Sequence, residues 1–163
     1  MIVLEGPDGG GKTTLAESLC NTLDLTYIKS EGPEKYPGEI DERILRYHLS
    51  YADGLKCLFD RHPCISQMAY SLIHNQSKPS DRLVARFYER RPLLIYCRPN
   101  PLTKNPTASG EWDTPEYLQR VNRGYSKLMK WYDEWALWNA HYIYRIGEPI
   151  KPIEDLIKGW RRA

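Results

Sequence analysis

The sequence predicts an α/β fold: a five-stranded parallel sheet flanked by helices in three layers, within a single domain spanning residues 1–163. Three observations carry this. Short apolar runs recur along the chain, helical patterns separate them, and the first run feeds directly into a glycine-rich turn that opens a helix. A chain of 163 residues can bury one core without disulfide or metal staples.

The elements follow in order. Ile2-Val3-Leu4 reads as a buried strand, and Leu15 and Leu19, one turn apart, mark a helix over 12–23. Between them lies Gly6-Pro7-Asp8-Gly9-Gly10-Gly11-Lys12-Thr13, a G-x-x-x-x-G-K-T pattern. Glycines let successive backbone N–H groups turn inward around a polyphosphate. The lysine reaches the outer phosphates, and the threonine hydroxyl ligates Mg2+. The helix that starts there adds its partial positive charge. Gly9, Gly10, Gly11, Lys12, Thr13 and Thr14 are therefore the candidate ATP-binding residues.

Further strands are expected over 25–29, 56–59, 92–97 and 141–145, with helices near 39–52, 66–75, 80–91, 114–140 and 152–162. The longest helix has Thr114 as a cap and Pro115 in its first turn, where a missing N–H costs nothing. Leu118, Val121, Tyr125, Leu128, Tyr132 and Trp135 recur at spacings of three and four, which makes them a core face. Ligands of open parallel sheets sit beyond the carboxyl ends of the strands, so residues 5–13, 30–37, 60–66, 98–113 and 146–149 are expected to face one crevice. Residues 98–113 are polar, rich in small side chains and expected to form a short lid, with Arg98 and Lys104 as cations. Arg120 and Arg123 follow on the next helix. Lys35 or Tyr36 can contact an acceptor, and a turn set by two prolines is the competing explanation. Among the helix arginines 43, 46, 82 and 86, most are expected to be solvated.

A second signal follows the third strand. Asp60 stands where an acid can hold the metal through water, and the adjacent Arg61 offers a planar fork that matches a phosphate. Asp60 as a helix cap with Arg61 as its partner is the alternative.

Composition excludes other classes. A net charge of +2 is too small for a surface that coats nucleic acid, and 41% hydrophobic with 27% charged residues is the balance of a soluble globular chain. The four cysteines show no C-x-x-C spacing; Cys57 and Cys97 sit in strand-like runs and are expected to be buried free thiols, which favours a reducing, cytoplasmic setting. No run approaches membrane-span length, and a strand starting at residue 2 leaves no room for a signal peptide.

Glu5-Gly6-x-Asp8-Gly-x-Gly-Lys12-Thr13 resembles the P-loop of thymidylate kinases, and Asp60-Arg61 followed by Ser66 and Tyr70 is similar to their D-R-x-x-x-S-x-x-x-Y region. Residues 115–125 are similar to the helix that follows their lid, and Asp60-Arg61-His62-Pro63 also resembles viral thymidine kinases of the same wider group. One extra residue separates Arg61 from Ser66, and the segment between the second and third strands is short. The resemblance implies a P-loop kinase fold and transfer of the terminal phosphoryl of ATP to a deoxynucleoside monophosphate, dTMP foremost. It implies that Lys12 and Thr13 hold the donor phosphates and Mg2+, with Asp60 as the second metal residue. Arg61 holds the acceptor phosphate, Asp8 accepts from the sugar hydroxyl, and Ser66, Gln67 and Tyr70 lie at the acceptor. Gly147 lies on the ATP side, and a homodimer fits the family. From their place after the fourth strand, and not from the resemblance, Lys104 is the candidate catalytic cation of the lid and Arg120 a further cation on the ATP side. No nucleic acid or membrane partner is implied.

A monophosphate has its second pKa at about 6 and presents an anionic oxygen without help. A nucleoside hydroxyl needs a base, for which Glu5 and Asp8 are candidates, so a deoxynucleoside kinase is the second reading. A nucleotide-dependent switch is the third, without an N-K-x-D sequence or a D-x-x-G after the third strand to support it.

Overall fold

The computed structural model describes residues 1–51, 56–99 and 115–161, with side chains at all of these but 115–123. The elements run β1 (Ile2–Glu5), α1 (Lys12–Leu23), β2 (Thr26–Lys29), α2 (Glu39–Ser50), β3 (Cys57–Asp60), α3 (Pro63–Tyr70), α4 (Asp81–Glu89), β4 (Leu93–Cys97), α5 (Pro115–Asn139), β5 (Tyr142–Tyr144) and α6 (Lys151–Trp160). All strands are parallel, in the order β2-β3-β1-β4-β5. The expected five-stranded, three-layer α/β fold is the one observed.

β1 and β4 are buried along their whole length, which is why they read as unbroken apolar runs rather than alternating ones. Alternation within each strand splits the core into two layers. Val3, Phe59 and Tyr96 face one side, under Ile44 of α2, Ile65 of α3, Phe87 of α4 and Tyr132 of α5. Ile2, Leu4, Leu58 and Ile95 face the other, under Leu15 and Leu19 of α1 and Ile153 and Ile157 of α6. Of the stripe expected on the longest helix, Leu128, Tyr132 and Trp135 are buried as foreseen. Thr114 lies outside the described residues, as do the side chains of Leu118 and Val121.

Most element bounds lie within two residues of expectation, and the third helix departs further. The third helix spans Pro63–Tyr70 instead of 66–75. Its proline occupies the first turn, where its missing N–H is harmless, and His62 caps it by accepting the Cys64 N–H at Nδ1, 3.2 Å away. α2 ends at Ser50 rather than residue 52. The cysteines are free; Cys64 and Cys97 are buried, while Cys57 is only half-buried. Among the described residues no helix is long and apolar enough to cross a membrane.

Candidate active site

The central strand β1 hands the chain to the glycine-rich loop, and its neighbours β3 and β4 end alongside. A Cβ on Gly10 would fall on the Cys97 carbonyl oxygen, so only glycine lets this loop lie against the end of β4. Gly11 is the N-cap of α1 in the left-handed conformation, with φ of 72°, and brings no side chain to the first-turn N–H groups. Those donors are left to meet an anion. The Ile146 side chain lies against Gly11, which places the loop after β5 beside the phosphate loop.

A cavity of about 300 Å³ opens over this loop, lined by Asp8, Gly9, Gly11, Lys12, Thr13 and Thr14 together with Lys29, Ser30, Asp60 and Arg61. Lys12 is buried and curls back to donate to the Pro7 carbonyl oxygen at 2.7 Å. Burial pulls its ammonium down to about 8, with the Arg61 charge acting in the same direction. A phosphate oxygen is a stronger acceptor than that carbonyl and would relieve the buried charge. Thr13 donates to Asp60 Oδ2 at 2.8 Å, and the Tyr27 hydroxyl donates to the same oxygen at 2.9 Å. Burial and the Asp60 carboxylate push the Tyr27 phenol up to about 12, so it remains a donor. A hydroxyl and one carboxylate beside a phosphate cradle are hard oxygen donors that fit Mg2+. Among the described residues no cluster of three or more metal-ligating side chains occurs, so a metal here would complete its shell with phosphate and water.

Arg61 follows β3 directly and adopts φ of 71°, an uncommon conformation for a residue with a side chain. Its N–H donates to the Leu4 carbonyl at 2.9 Å. The guanidinium donates to Asp8 at 2.5 Å, lies 4.8 Å from the Tyr70 ring centroid, and keeps a buried Nε without a hydrogen-bond partner among the described residues. Arg61 and Ser30 also line a second cavity of about 190 Å³, together with Ser66, Gln67, Tyr70, His74 and Gln76. There Gln67 donates to the Gln76 side-chain oxygen at 2.8 Å, and the Tyr70 and His74 rings are near parallel at 12°.

Most of the expected residues therefore converge, but not all. Tyr36 is half exposed and gives its hydroxyl to Glu42 at 2.7 Å, away from both cavities, because the chain after β2 turns toward α2. Gly147 shapes the turn beside the phosphate loop with φ of 93° without lining either cavity. Arg98 forms a two-pronged pair with Asp133 of α5, at 2.9 and 3.0 Å, rather than reaching the phosphate cradle. Lys104 and the stretch 100–113 lie outside the described residues, and Arg120 is on α5 with its side chain outside them. Arg43, grouped with solvated arginines, is buried and bonds Glu39 and the Gly32 carbonyl. Tyr27, which braces Asp60, was missed altogether, and Tyr125 of α5, expected in the core stripe, is only half-buried and donates to the Asp8 carbonyl at 3.1 Å.

Glu5, a candidate base in the second reading, is fully buried and lines neither cavity. One oxygen accepts the His62 N–H at 2.6 Å and the other the Tyr132 hydroxyl at 2.9 Å. Burial lifts its pKa from 4.5 to about 7. A carboxyl raised this way binds its proton more tightly folded than unfolded. Native stability therefore declines as pH rises from 4.5 through 7, by roughly 3 kcal/mol at the top of that window. Glu5→Gln removes the titration. Its melting temperature relative to the native chain is expected to climb between pH 4.5 and 7 and level off above. A difference independent of pH would show that Glu5 does not titrate there.

The fold and the site define a nucleotide-loop α/β architecture in which a phosphate cradle and a second cavity share one arginine. The profile of the ATPase family associated with various cellular activities (AAA) matches residues 2–60, the stretch from β1 through the phosphate loop to Asp60. No curated protein matches the chain. Among solved structures, YorR protein from Bacillus subtilis in complex with phosphorylated GDP is similar at a TM-score of 0.71 and 22% identity, over 99% of this chain and 98% of that one. This likeness establishes a shared fold. Deoxyadenosine kinase from M. mycoides with bound dATP is similar at a TM-score of 0.47 and 16% identity, over 99% of both chains. Shikimate kinase from Acinetobacter baumannii in complex with shikimate also scores 0.47 at 16% identity, over 98% of this chain and 89% of that one.

Proposed function

We propose that the chain transfers the terminal phosphoryl of ATP to a deoxynucleoside monophosphate, dTMP foremost. The observation that carries this reading is the position of Arg61, on the wall common to the phosphate cradle and the second cavity. An acceptor phosphate bound by that fork would stand next to the donor phosphates, with its nucleoside among Ser66, Gln67 and Tyr70. Phosphoryl transfer depends on positioning and charge stabilisation, which Lys12 and the first-turn N–H groups of α1 supply on the donor side. Thr13 and Asp60 would hold Mg2+, whose charge would offset that of the donor phosphates. Lys104 and Arg120 are assigned to the donor side on their place in the chain after the fourth strand, and Gly147 and a homodimer on the resemblance.

What the site offers as a base supports the monophosphate reading. Glu5 is sealed off, and Asp8 is engaged by Arg61. A monophosphate needs no base. The second reading, a deoxynucleoside kinase, draws on one observation: the Asp8 carboxylate lines the cradle and is 67% exposed, so a nucleoside hydroxyl could displace Arg61 from it. A screen of deoxynucleosides and their monophosphates with ATP and Mg2+ decides between them. Turnover of dTMP with thymidine inert is expected; the reverse pattern replaces the first reading with the second, and acceptor-independent hydrolysis defeats both.

Asp60→Asn should raise the Mg2+ needed for half-maximal rate by on the order of 10- to 100-fold, since an amide is a weaker partner for metal-bound water. An unchanged Mg2+ requirement would reduce Asp60 to a brace for Thr13.

A further inference from the structure

Among the described residues Arg61 alone brings a guanidinium to both cavities, and something must hold its left-handed turn in place. Two groups from β1 do so. The Leu4 carbonyl takes the Arg61 N–H, and the Glu5 carboxylate takes the next one, that of His62. The second oxygen of the same carboxylate takes the Tyr132 hydroxyl from α5. One buried side chain thus joins three elements, β1, the β3–α3 turn and α5, beside a residue held in the left-handed conformation. His62 adds a passive wall: its ring stacks on Phe87 at 4.3 Å and caps α3, so the turn is fixed on its far side by packing. The Glu5 side is fixed by hydrogen bonds to a single residue.

We infer that Glu5 is the positioning residue of Arg61: its carboxylate clamps the β3–α3 turn to β1 and α5 and thereby sets where the guanidinium meets the acceptor. The inference rests on the reading of Arg61 as acceptor ligand. It differs from a base role, because a clamp needs two acceptor or donor positions in the right places and no proton transfer. Glutamine supplies them: its amide oxygen can accept from His62 N–H, and its amide nitrogen can donate to the Tyr132 oxygen. Alanine supplies neither. Tyr132→Phe removes only the α5 arm.

The test combines kinetics with hydrogen exchange on the full-length chain. Glu5→Ala is expected to lower kcat/KM for the monophosphate at least about 30-fold while ATP KM stays within about threefold, and to speed exchange of the His62 amide at least about tenfold. Glu5→Gln should hold both within about fivefold of the native values. Tyr132→Phe should give a smaller loss, about three- to tenfold, with the same selectivity for the acceptor. In an Arg61→Ala background, Glu5→Ala should cost little more, since the side chain it positions is gone. Glu5→Gln as damaging as Glu5→Ala, unchanged His62 exchange in Glu5→Ala, or full additivity with Arg61→Ala would each overturn the inference. Faster His62 exchange with normal acceptor kinetics in Arg61→Ala would leave the clamp standing and defeat the assignment of Arg61. Should Glu5→Ala fail to fold, Tyr132→Phe and Glu5→Gln carry the same comparison, and a Tyr132→Phe loss shared equally by ATP and acceptor would count against it.

Discussion

Lys12→Met is expected to lower kcat by at least ~10³-fold while leaving a folded chain. On the proposed function Lys12 is a cation for the donor phosphates, and it carries no packing role that methionine cannot fill. Its buried ammonium already costs stability: a pKa drawn down from 10.5 to about 8 corresponds to roughly 3 kcal/mol against the charged form. The bond to the Pro7 carbonyl returns about 1.5–3 kcal/mol, so the substitution should change stability by no more than about 2 kcal/mol. The pH dependence has a definite sign. A base whose folded pKa is depressed binds more protons unfolded, so native stability rises with pH between 8 and 10.5. Any thermal advantage of Lys12→Met should therefore be largest below pH 8 and shrink through that window. Melting curves without nucleotide, run beside turnover assays, check both halves. Turnover within tenfold of native would remove Lys12 from the chemistry.

The legible parts of this molecule are those whose partners lie close in sequence. The strand, glycines, lysine and threonine of the first loop act within thirteen residues, so spacing alone exposes the cradle. Asp60 and Arg61 are adjacent and sit at a strand end, which is where parallel sheets place ligands. Residues whose roles depend on distant partners were hidden. Tyr27 meets Asp60 across two strands, and Tyr132 meets Glu5 from the far end of the chain. Arg98 occupies the right position after β4 for a lid cation, yet its direction is set by Asp133 of α5 and its neighbour Tyr96, which shares that carboxylate. Tyr36 shows the same limit in reverse. Position after a strand predicted the right crevice, while the direction of the side chain followed Glu42. The helix expected from residue 66 begins already at Pro63, since the first turn accepts a proline. The fold was thus readable from periodicity. The site was readable only where the chemistry is local.

Arg61→Ala is expected to lower kcat/KM for the monophosphate by about 10²–10³-fold, with ATP KM changed less than about threefold. Two charge-assisted hydrogen bonds to a phosphate contribute about 3–4 kcal/mol together, which is that range of rate. Arg61→Lys keeps the charge and loses the planar fork, so it should recover only about tenfold. Arg61→Gly separates function from conformation. The left-handed turn, at φ of 71°, strains any residue with a Cβ, and glycine adopts it freely. Arg61→Gly should then be as inactive as Arg61→Ala but more stable by about 1 kcal/mol, measured by denaturant unfolding. Alanine equal to glycine in stability would mean that the turn relaxes once the side chain is gone. Full activity in Arg61→Lys would reduce the fork to a point charge, and full activity in Arg61→Ala would place the acceptor elsewhere. The combination of inactivity with regained stability is the signature of a residue held in an unfavourable conformation because its side chain is needed at the boundary between two substrates.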